Sequence, residues 1–159
     1  MLDLLGDYPC KLDNKGRLQL PSKLRKQLEP VLHEGLWVRK DMHQPCLVIY
    51  PKPEWDRIKT DIAKLNRHSR RHGDYIRKFL RGAAPIELDG SGRMNLPNHM
   101  LEHMGLDIDQ DNEVILMGLF EKMELWSRAN HDVEVENTED FDALADEIEA
   151  FLNTKNQQP

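Results

Sequence analysis

A seven-residue stretch occurs twice in this chain, as Leu12-Asp13-Asn14-Lys15-Gly16-Arg17-Leu18 and as Leu88-Asp89-Gly90-Ser91-Gly92-Arg93-Met94. Each copy has aspartate at the first and glycine at the fourth position of a four-residue turn, which is typical of a type I turn. Apolar residues alternate on both sides of the first turn and predict two flanking strands. We therefore expect each stretch to close a β-hairpin, with Arg17 and Arg93 on the face opposite the apolar side chains.

The repeat extends beyond the two turns at a constant offset of 76 residues. Nine of the 18 positions from 4 to 21 are identical in the second copy, where about one identity is expected by chance. The same offset aligns Val38 with Val114. A helix is predicted to begin after Pro21 and after Pro97. Further strands are predicted around residues 36–39 and 46–50, and again around 113–117 and 122–126. Each module is therefore predicted to be β-β-α-β-β.

One module of this size buries too little apolar surface to be stable alone. We expect the two modules to pair about a pseudo-twofold axis into one β-barrel, which gives an α+β fold class. The predicted segments are a first module (5–52), a helical linker (53–80), a second module (81–127) and an acidic C-terminal helix and tail (128–159). In the last segment, apolar residues at helical spacing predict an amphipathic helix, and we expect the polar end from Asn153 to be disordered.

Charge is distributed unevenly along the chain, whose formal net charge is −6. Residues 1–81 contain 18 basic and 10 acidic side chains, whereas residues 82–159 contain 4 basic and 18 acidic ones. The first half is therefore suited to a polyanion, and the second half is repelled by one. No segment reaches the roughly 18 apolar residues of a membrane helix, and the N-terminus lacks the features of a secretory signal. We expect a cytoplasmic protein with no membrane partner.

Potential sites of chemistry are few. Cys10 and Cys46 lack metal-ligand spacing, and we interpret both as buried apolar residues. His99, Glu102 and His103 match the H-x-x-E-H pattern, in which two histidines bind zinc and a glutamate activates water. That segment aligns with an ordinary surface helix in the first module, and no third ligand is recognisable. A zinc hydrolase is therefore an alternative only, and we expect no enzymatic activity, no cofactor and no small-molecule substrate.

Two further blocks, His43-Gln44-Pro45-Cys46-Leu47-Val48-Ile49-Tyr50-Pro51-Lys52-Pro53-Glu54-Trp55 and Gly118-Leu119-Phe120-Glu121-Lys122-Met123-Glu124-Leu125-Trp126, end the two modules. Together with the doubled D-x-x-x-R stretch, they resemble the MraZ family over residues 5 to about 130. The resemblance implies an AbrB-like swapped-hairpin fold and a ring-shaped homo-oligomer. It also implies a nucleoid-associated transcriptional regulator of the division and cell-wall gene cluster, which binds repeated boxes of promoter DNA, including its own promoter.

The candidate DNA contacts lie in the first module. They are Lys15 and Arg17 at the turn and Lys23, Arg25 and Lys26 on the following helix. Their counterparts in the second module are not basic except for the second arginine, so we assign DNA binding to the first module.

The turn arginines have alternative roles. Arg17 either contacts DNA or pairs with Asp13 across the turn. Arg93 is expected to pair with Asp89 or with an adjoining protomer, and thus to act in structure and assembly, with DNA contact as its alternative role.

Other readings of the charged segments remain open. The basic run at residues 67–72 is either solvated surface or a second DNA contact. The acidic segment at residues 132–149 is a solvated helical face, a mask for the basic surface, or a binding site for a partner. An AbrB-type antitoxin would use that last helix to bind a toxin. A ring scaffold that binds no DNA is a further alternative.

Overall fold

The computed structural model describes residues 2–136 and 141–157. The chain divides into two compact units, one ending at Arg128 and one beginning at Ala129. In chain order the elements are β1 (Leu4–Lys11), β2 (Arg17–Gln19), α1 (Ser22–Leu32), β3 (Leu36–Lys40), β4 (Cys46–Pro51), α2 (Lys52–Ile62), α3 (Arg70–Phe79), β5 (Ala84–Ile86), β6 (Arg93–Asn95), α4 (Asn98–His103), β7 (Glu113–Phe120), β8 (Lys122–Ser127), α5 (Arg128–His131), a π-helical turn (Asp132–Glu136) and α6 (Phe141–Asn156).

The strands of the two modules are exchanged. A six-stranded antiparallel sheet has the order β1-β7-β8-β4-β3-β5, and β2 pairs with β6 in a separate two-stranded sheet. The first strand of each module therefore pairs with the third strand of the other module. Of the two predicted hairpins, only the tight turns and the isolated bridges Leu12↔Leu18 and Leu88↔Met94 are formed within one module. The hairpin prediction was correct for the turns and wrong for the strand partners.

The six-stranded sheet is open, so the predicted β-barrel is not closed. Its edges are β1 and β5, which among the described strands pair only with β7 and β3 respectively. Each edge strand contains a proline, Pro9 or Pro85. Because proline has no amide hydrogen, it is tolerated at a sheet edge but cannot donate to a further strand. The architecture is mixed α+β, with one large antiparallel sheet and several helices.

The third strands of the two modules do not follow the 76-residue offset. Leu36 pairs with Pro51 and Val114 pairs with Ser127. Pro51 and Ser127 are 76 residues apart, so Leu36 corresponds to Val114 at an offset of 78. The predicted equivalence of Val38 and Val114 is therefore wrong by two residues. Because side chains on a strand alternate with a period of two, this shift leaves every side chain on its expected face.

Apolar side chains from both modules share the main core. Leu18 and Met94, which pair across β2 and β6, are fully buried, as are Leu24 of α1 and Met100 of α4. A smaller cluster holds the linker helices against the sheet, with Trp55 of α2 buried. Its indole stacks on Trp37 with ring centroids 5.4 Å apart. The paired modules and the linker helices are thus parts of one packed unit.

The second unit contains the C-terminal helix α6, which has no buried side chain. This helix continues to Asn156. The prediction that the chain is disordered from Asn153 is therefore wrong for residues 153–156. Thr154 Oγ1 donates to the carbonyl of Ala150 at 3.0 Å, and Lys155 in the last turn is favourable beside the carbonyl end of a helix. Among the described residues, no helix is long and apolar enough to cross a membrane.

Candidate nucleic-acid interface

The first turn is organised by the side chain of Asp13. Its Oδ1 accepts hydrogen bonds from the backbone amides of Lys15 and Arg17, both at 2.9 Å. Its Oδ2 accepts a hydrogen bond from Arg17 Nε at 2.7 Å. Gly16 closes the turn with a φ of +76°, which glycine adopts without steric cost. Asp13 therefore fixes both the backbone of the turn and the direction of the Arg17 side chain.

The second turn repeats this geometry. Asp89 Oδ1 accepts from the backbone amides of Ser91 and Arg93 at 2.9 and 3.0 Å. Its Oδ2 accepts from Arg93 Nε at 2.8 Å. Both arginines thus pair with the aspartate four residues earlier. For Arg17, this contact is the structural role of the two roles considered above. Among the described residues, the terminal nitrogens of Arg17 make no hydrogen bond.

Strand pairing brings the two turns together. In the β2–β6 pair, Gln19 lies opposite Arg93, and its Nε2 donates to the backbone of the second turn at 3.1 Å. Arg93 Nη1 lies 3.8 Å from Asp13 Oδ2. We call this composite surface the paired turns, which are Asp13–Arg17 and Asp89–Arg93.

Each turn packs against the helix of the other module. A Cβ placed on Gly92 would lie 2.5 Å from Arg25 Nη1 of α1. A Cβ placed on Gly16 would lie 3.2 Å from Leu101 Cδ1 of α4. Gly16 corresponds to Gly92, and Arg25 corresponds to Leu101, at the repeat offset of 76 residues. The packing of each turn against the helix of the other module is therefore reciprocal. The basic helix α1 of the first module therefore covers the turn of the second module.

The basic side chains of α1 form one group. Lys23, Arg25 and Lys26 are exposed and line a surface depression of about 560 Å³ that contains one acidic side chain, Glu29. Since Arg25 lies against Gly92, this group adjoins the second turn. Cations on a rigid helix beside a protruding turn are suited to contacts with phosphate oxygens.

Lys15 lies in a different environment from these three residues. It is exposed at the tip of the first turn and lines a depression of about 680 Å³ that also contains the acidic side chains of Glu102, Asp107 and Asp109. Those carboxylates lower the local potential and oppose the approach of a phosphate. The five predicted DNA contacts are thus divided between two surfaces.

The paired turns change the acidity of their aspartates. The backbone amide of Arg17 lowers the pKa of Asp13 to about 2, and the guanidinium of Arg17 acts in the same direction. The backbone amide of Arg93 likewise lowers the pKa of Asp89 below its ordinary value. Both carboxylates are therefore ionised at neutral pH and hold their arginines by charge-assisted hydrogen bonds.

Sequence reasoning missed Gln19. Its side chain is exposed and links the two turns through the second turn's carbonyl groups. Gln19 and Asn95 are both amides, stand two residues after the turn arginines, and are 76 residues apart. This repeated polar pair was the available signal, because an amide that follows the turn in both modules lies at the seam between them.

The zinc-hydrolase alternative is not supported by the arrangement of its three residues. His99, Glu102 and His103 are not among the groups of three or more potential ligands that converge within the described part of the chain. The ring of His103 contacts the carbonyl of Gln44 at 3.2 Å, and the ring of His99 lies against Gly82. The helix that carries them, α4, is only six residues long. The two imidazoles therefore make separate contacts with the protein.

One other group of potential ligands occurs within residues 2–136 and 141–157. Donor atoms of Asp41, Cys46 and Glu124 all lie within 4.8 Å of one another. Asp41 Oδ1 accepts from two backbone amides of the β3–β4 loop, and Glu124 Oε1 accepts from Trp126 Nε1 at 3.1 Å. Burial raises the pKa of the Cys46 thiol, which favours its neutral form. These contacts give the group a structural role.

Comparison with known proteins gives the same family over both modules. The family model described as an antitoxin-like MraZ protein matches residues 4–74 and 79–153. A protein of Phocaeicola vulgatus is 38% identical over 153 residues, which cover 96% of this chain and 95% of the relative. A protein of Christiangramia forsetii is 34% identical over 149 residues, which cover 93% and 94%. A third, from Flavobacterium psychrophilum, is 34% identical over 154 residues, or 96% of each chain. All three relatives are named transcriptional regulator MraZ.

Proposed function

This chain belongs to the MraZ family, and from that premise we propose that it is a sequence-specific DNA-binding transcriptional regulator and not an enzyme. It acts in the cytoplasm, on the nucleoid. Its targets are repeated boxes in the promoter of the division and cell-wall gene cluster, including the promoter of its own gene. The names of its relatives support the regulatory role, and the paired turns support DNA as the partner.

The observation that carries this proposal is the state of Arg17. Its Nε is bonded to Asp13, so its orientation is fixed before DNA arrives. Its terminal nitrogens make no hydrogen bond to the described residues, and they are available for a base edge. An arginine held in this way loses little conformational entropy on binding, and its fork matches O6 and N7 of guanine in the major groove.

The remaining contacts follow from charge. Lys23, Arg25 and Lys26 bind phosphates beside the base contact and fix the register of the protein on the duplex. Lys15 contributes less, because acidic side chains share its surface. Asp13, Asp89 and Arg93 hold the two turns in position and support assembly.

Repeated boxes imply repeated binding surfaces. The two modules are related by a pseudo-twofold axis, which the reciprocal contacts of Gly16 and Gly92 support, and the chains assemble into a ring. Each pair of turns binds DNA weakly alone. Several pairs in one ring engage neighbouring boxes together, so avidity raises a modest single-site affinity.

The test compares Arg17→Ala with Arg93→Ala, using Arg128→Ala as an arginine control outside the paired turns. The affinity for the region upstream of the protein's own gene is measured against salt concentration, and assembly is followed by light scattering. Arg17→Ala should weaken the free energy of DNA binding by about 1–3 kcal/mol per engaged site, and the variant should discriminate less between DNA sequences. Arg93→Ala should act mainly on assembly.

Two results would refute parts of this proposal. If Arg17→Ala binds like the parent while Arg93→Ala abolishes binding with assembly intact, the DNA contact belongs to the second turn. If the parent protein itself does not bind the promoter region above its affinity for unrelated DNA, the chain is a scaffold and not a regulator.

A further inference from the structure

The apolar side of α6 is exposed along the whole helix. Phe141, Leu144, Ile148 and Phe151 follow spacings of three, four and three residues, so they share one face. Their exposed fractions are 63%, 42%, 47% and 57%. A helix of 16 residues is only marginally stable in water without packing. This stripe therefore indicates a surface that packs against a partner.

The rest of the helix surface is acidic. It carries Asp142, Asp146, Glu147 and Glu149, whereas Lys155 is the one basic residue of α6. A partner surface that matches this helix needs an apolar floor and basic borders. Because DNA is itself an anion, the helix is repelled by DNA and suited to a cationic protein surface.

The linker helices offer such a surface. Two depressions, of about 730 and 490 Å³, lie between α2 and α3 and meet at Ile62. Their apolar lining includes Tyr75 and Leu80, which are 46% and 37% exposed. The charged side chains of the first depression are Asp61 and Arg71, whereas those of the second are three cations. We call this surface the linker groove.

The charge and the length of α6 both match those of the linker groove. Residues 61–81 hold seven basic and two acidic side chains, the opposite sign to α6. The interval from Phe141 to Phe151 spans about 15 Å at 1.5 Å per residue, and the ten residues of α3 span about the same length. The apolar stripe can therefore lie along the groove without a gap at either end.

We infer that α6 of one copy binds the linker groove of a second copy of this chain. The proposed ring requires a contact between copies, and the apolar stripe of the acidic helix α6 is complementary to the apolar and basic linker groove. The contact joins two different surfaces, and such heterologous contacts close into a ring when the rotation allows it. This inference rests on the assembly part of the proposed function and does not depend on DNA binding.

The first experiment uses full-length variants. Ile148→Glu on α6 and Tyr75→Glu in the linker groove should each reduce the mass measured by light scattering several-fold, toward the 18.6 kDa of one chain. Ala150→Glu is the matched control, because residue 150 is roughly opposite the stripe at 100° per residue and receives the same charge. It should assemble like the parent. Circular dichroism checks that all three variants remain folded.

The second experiment identifies the partner directly. A Tyr75→Cys chain and an Ile148→Cys chain of different mass are mixed under mild oxidation, and the disulfide-linked products are identified by mass spectrometry. A disulfide that joins the two different chains through positions 75 and 148 supports the inference. The same disulfide formed only within a chain carrying both substitutions would overturn it, because α6 would then bind its own groove.

The possible failures are distinguishable. If the parent is a monomer, the proposed assembly fails and this inference fails with it. If the parent assembles, Ile148→Glu assembles equally well and no cross-link forms, only this inference is wrong. In that case, loss of a co-purified toxin-like protein from Ile148→Glu alone would assign α6 to a different partner. DNA affinity measured on the same variants reports separately on the regulatory proposal.

Discussion

Arg93 of the second module lies 3.8 Å from Asp13 of the first, measured from Nη1 to Oδ2. Its Nε also donates to Asp89, so one guanidinium contacts the aspartates of both turns. Within residues 2–136 and 141–157, Arg17 forms an ion pair only with Asp13. The two arginines of the repeat are therefore not equivalent, since one joins the modules and the other keeps its terminal nitrogens unbonded within the described residues.

The stability of the paired turns should depend on the ionisation of Asp13. Its pKa in the folded protein is about 2, below the unfolded value of about 3.9. The stabilisation is therefore complete above the unfolded pKa and is lost as pH falls from about 4 to about 2. Asp13→Asn should flatten the dependence of the thermal midpoint on pH in this window. Asp89→Asn, which removes a single arginine contact, should flatten it less; an equal or larger effect of Asp89→Asn would contradict this account.

Lysines at the turn and on α1 should differ in their contribution to DNA binding. Lys23→Ala should lower the slope of log affinity against log salt by about one per engaged site. Lys15→Ala should lower it less, because Glu102, Asp107 and Asp109 already oppose phosphate at that surface. The measurement is a salt titration of DNA affinity for both variants and for the parent. A larger change for Lys15→Ala would show that the first turn approaches the backbone more closely than we infer.

The close approach of β1 to β7 should make Gly118 intolerant of a side chain. A Cβ at this position would lie 2.7 Å from the backbone nitrogen of Leu5, and backbone cannot yield as a flexible side chain can. Gly118→Ala should lower the free energy of unfolding by about 1–3 kcal/mol. Gly90→Ala is the control, since nothing lies within 4 Å of its Cβ, and its effect should stay within about 0.5 kcal/mol. Denaturant unfolding of the two variants provides the comparison.

The histidines of α4 should be dispensable. We expect His99→Gln combined with His103→Gln to leave both DNA affinity and assembly close to those of the parent, because the two rings do not converge on a common ligand position. The glutamine amide at 103 retains a donor for the carbonyl of Gln44. Elemental analysis of the purified parent and variant is the decisive measurement. A stoichiometric zinc ion that is present in the parent and lost in the variant would support the zinc-hydrolase hypothesis.

The local structure was predictable from the repeat itself, whereas the exchange of strands was implied only by the family resemblance, as a swapped-hairpin fold. Asp and Gly at fixed positions determine a turn through local hydrogen bonds, so Asp13 and Asp89 marked both turns in advance. Alternation of apolar residues predicts that β1 is a strand, but it carries no information about which strand donates to it. The exchange of β1 onto β7 is decided by the packing of two modules, which lies outside any local window.

The candidate site was predictable in composition and not in arrangement. Each of its basic residues could be listed from the first module alone. In the reciprocal packing, α1 lies against the second turn through Arg25 and Gly92, and Lys15 lies beside Glu102 of α4 and the two aspartates that follow this helix. Gln19 was missed because a single exposed amide has no distinctive pattern until its equivalent in the other module is compared with it.

The pairing of β1 with β7 also determines when the protein can fold during its synthesis. Leu4 pairs with Phe120, so the first strand leaves the ribosome with its partner still more than a hundred residues from being made. At about 5–20 residues per second, that interval lasts several seconds or longer. The β3–β4 pair can form meanwhile, but the edges that β1 and β3 offer to later strands stay unfilled. Contacts of such long range are formed slowly, and slow translation of the second module would prolong the exposure of these edges to other nascent chains.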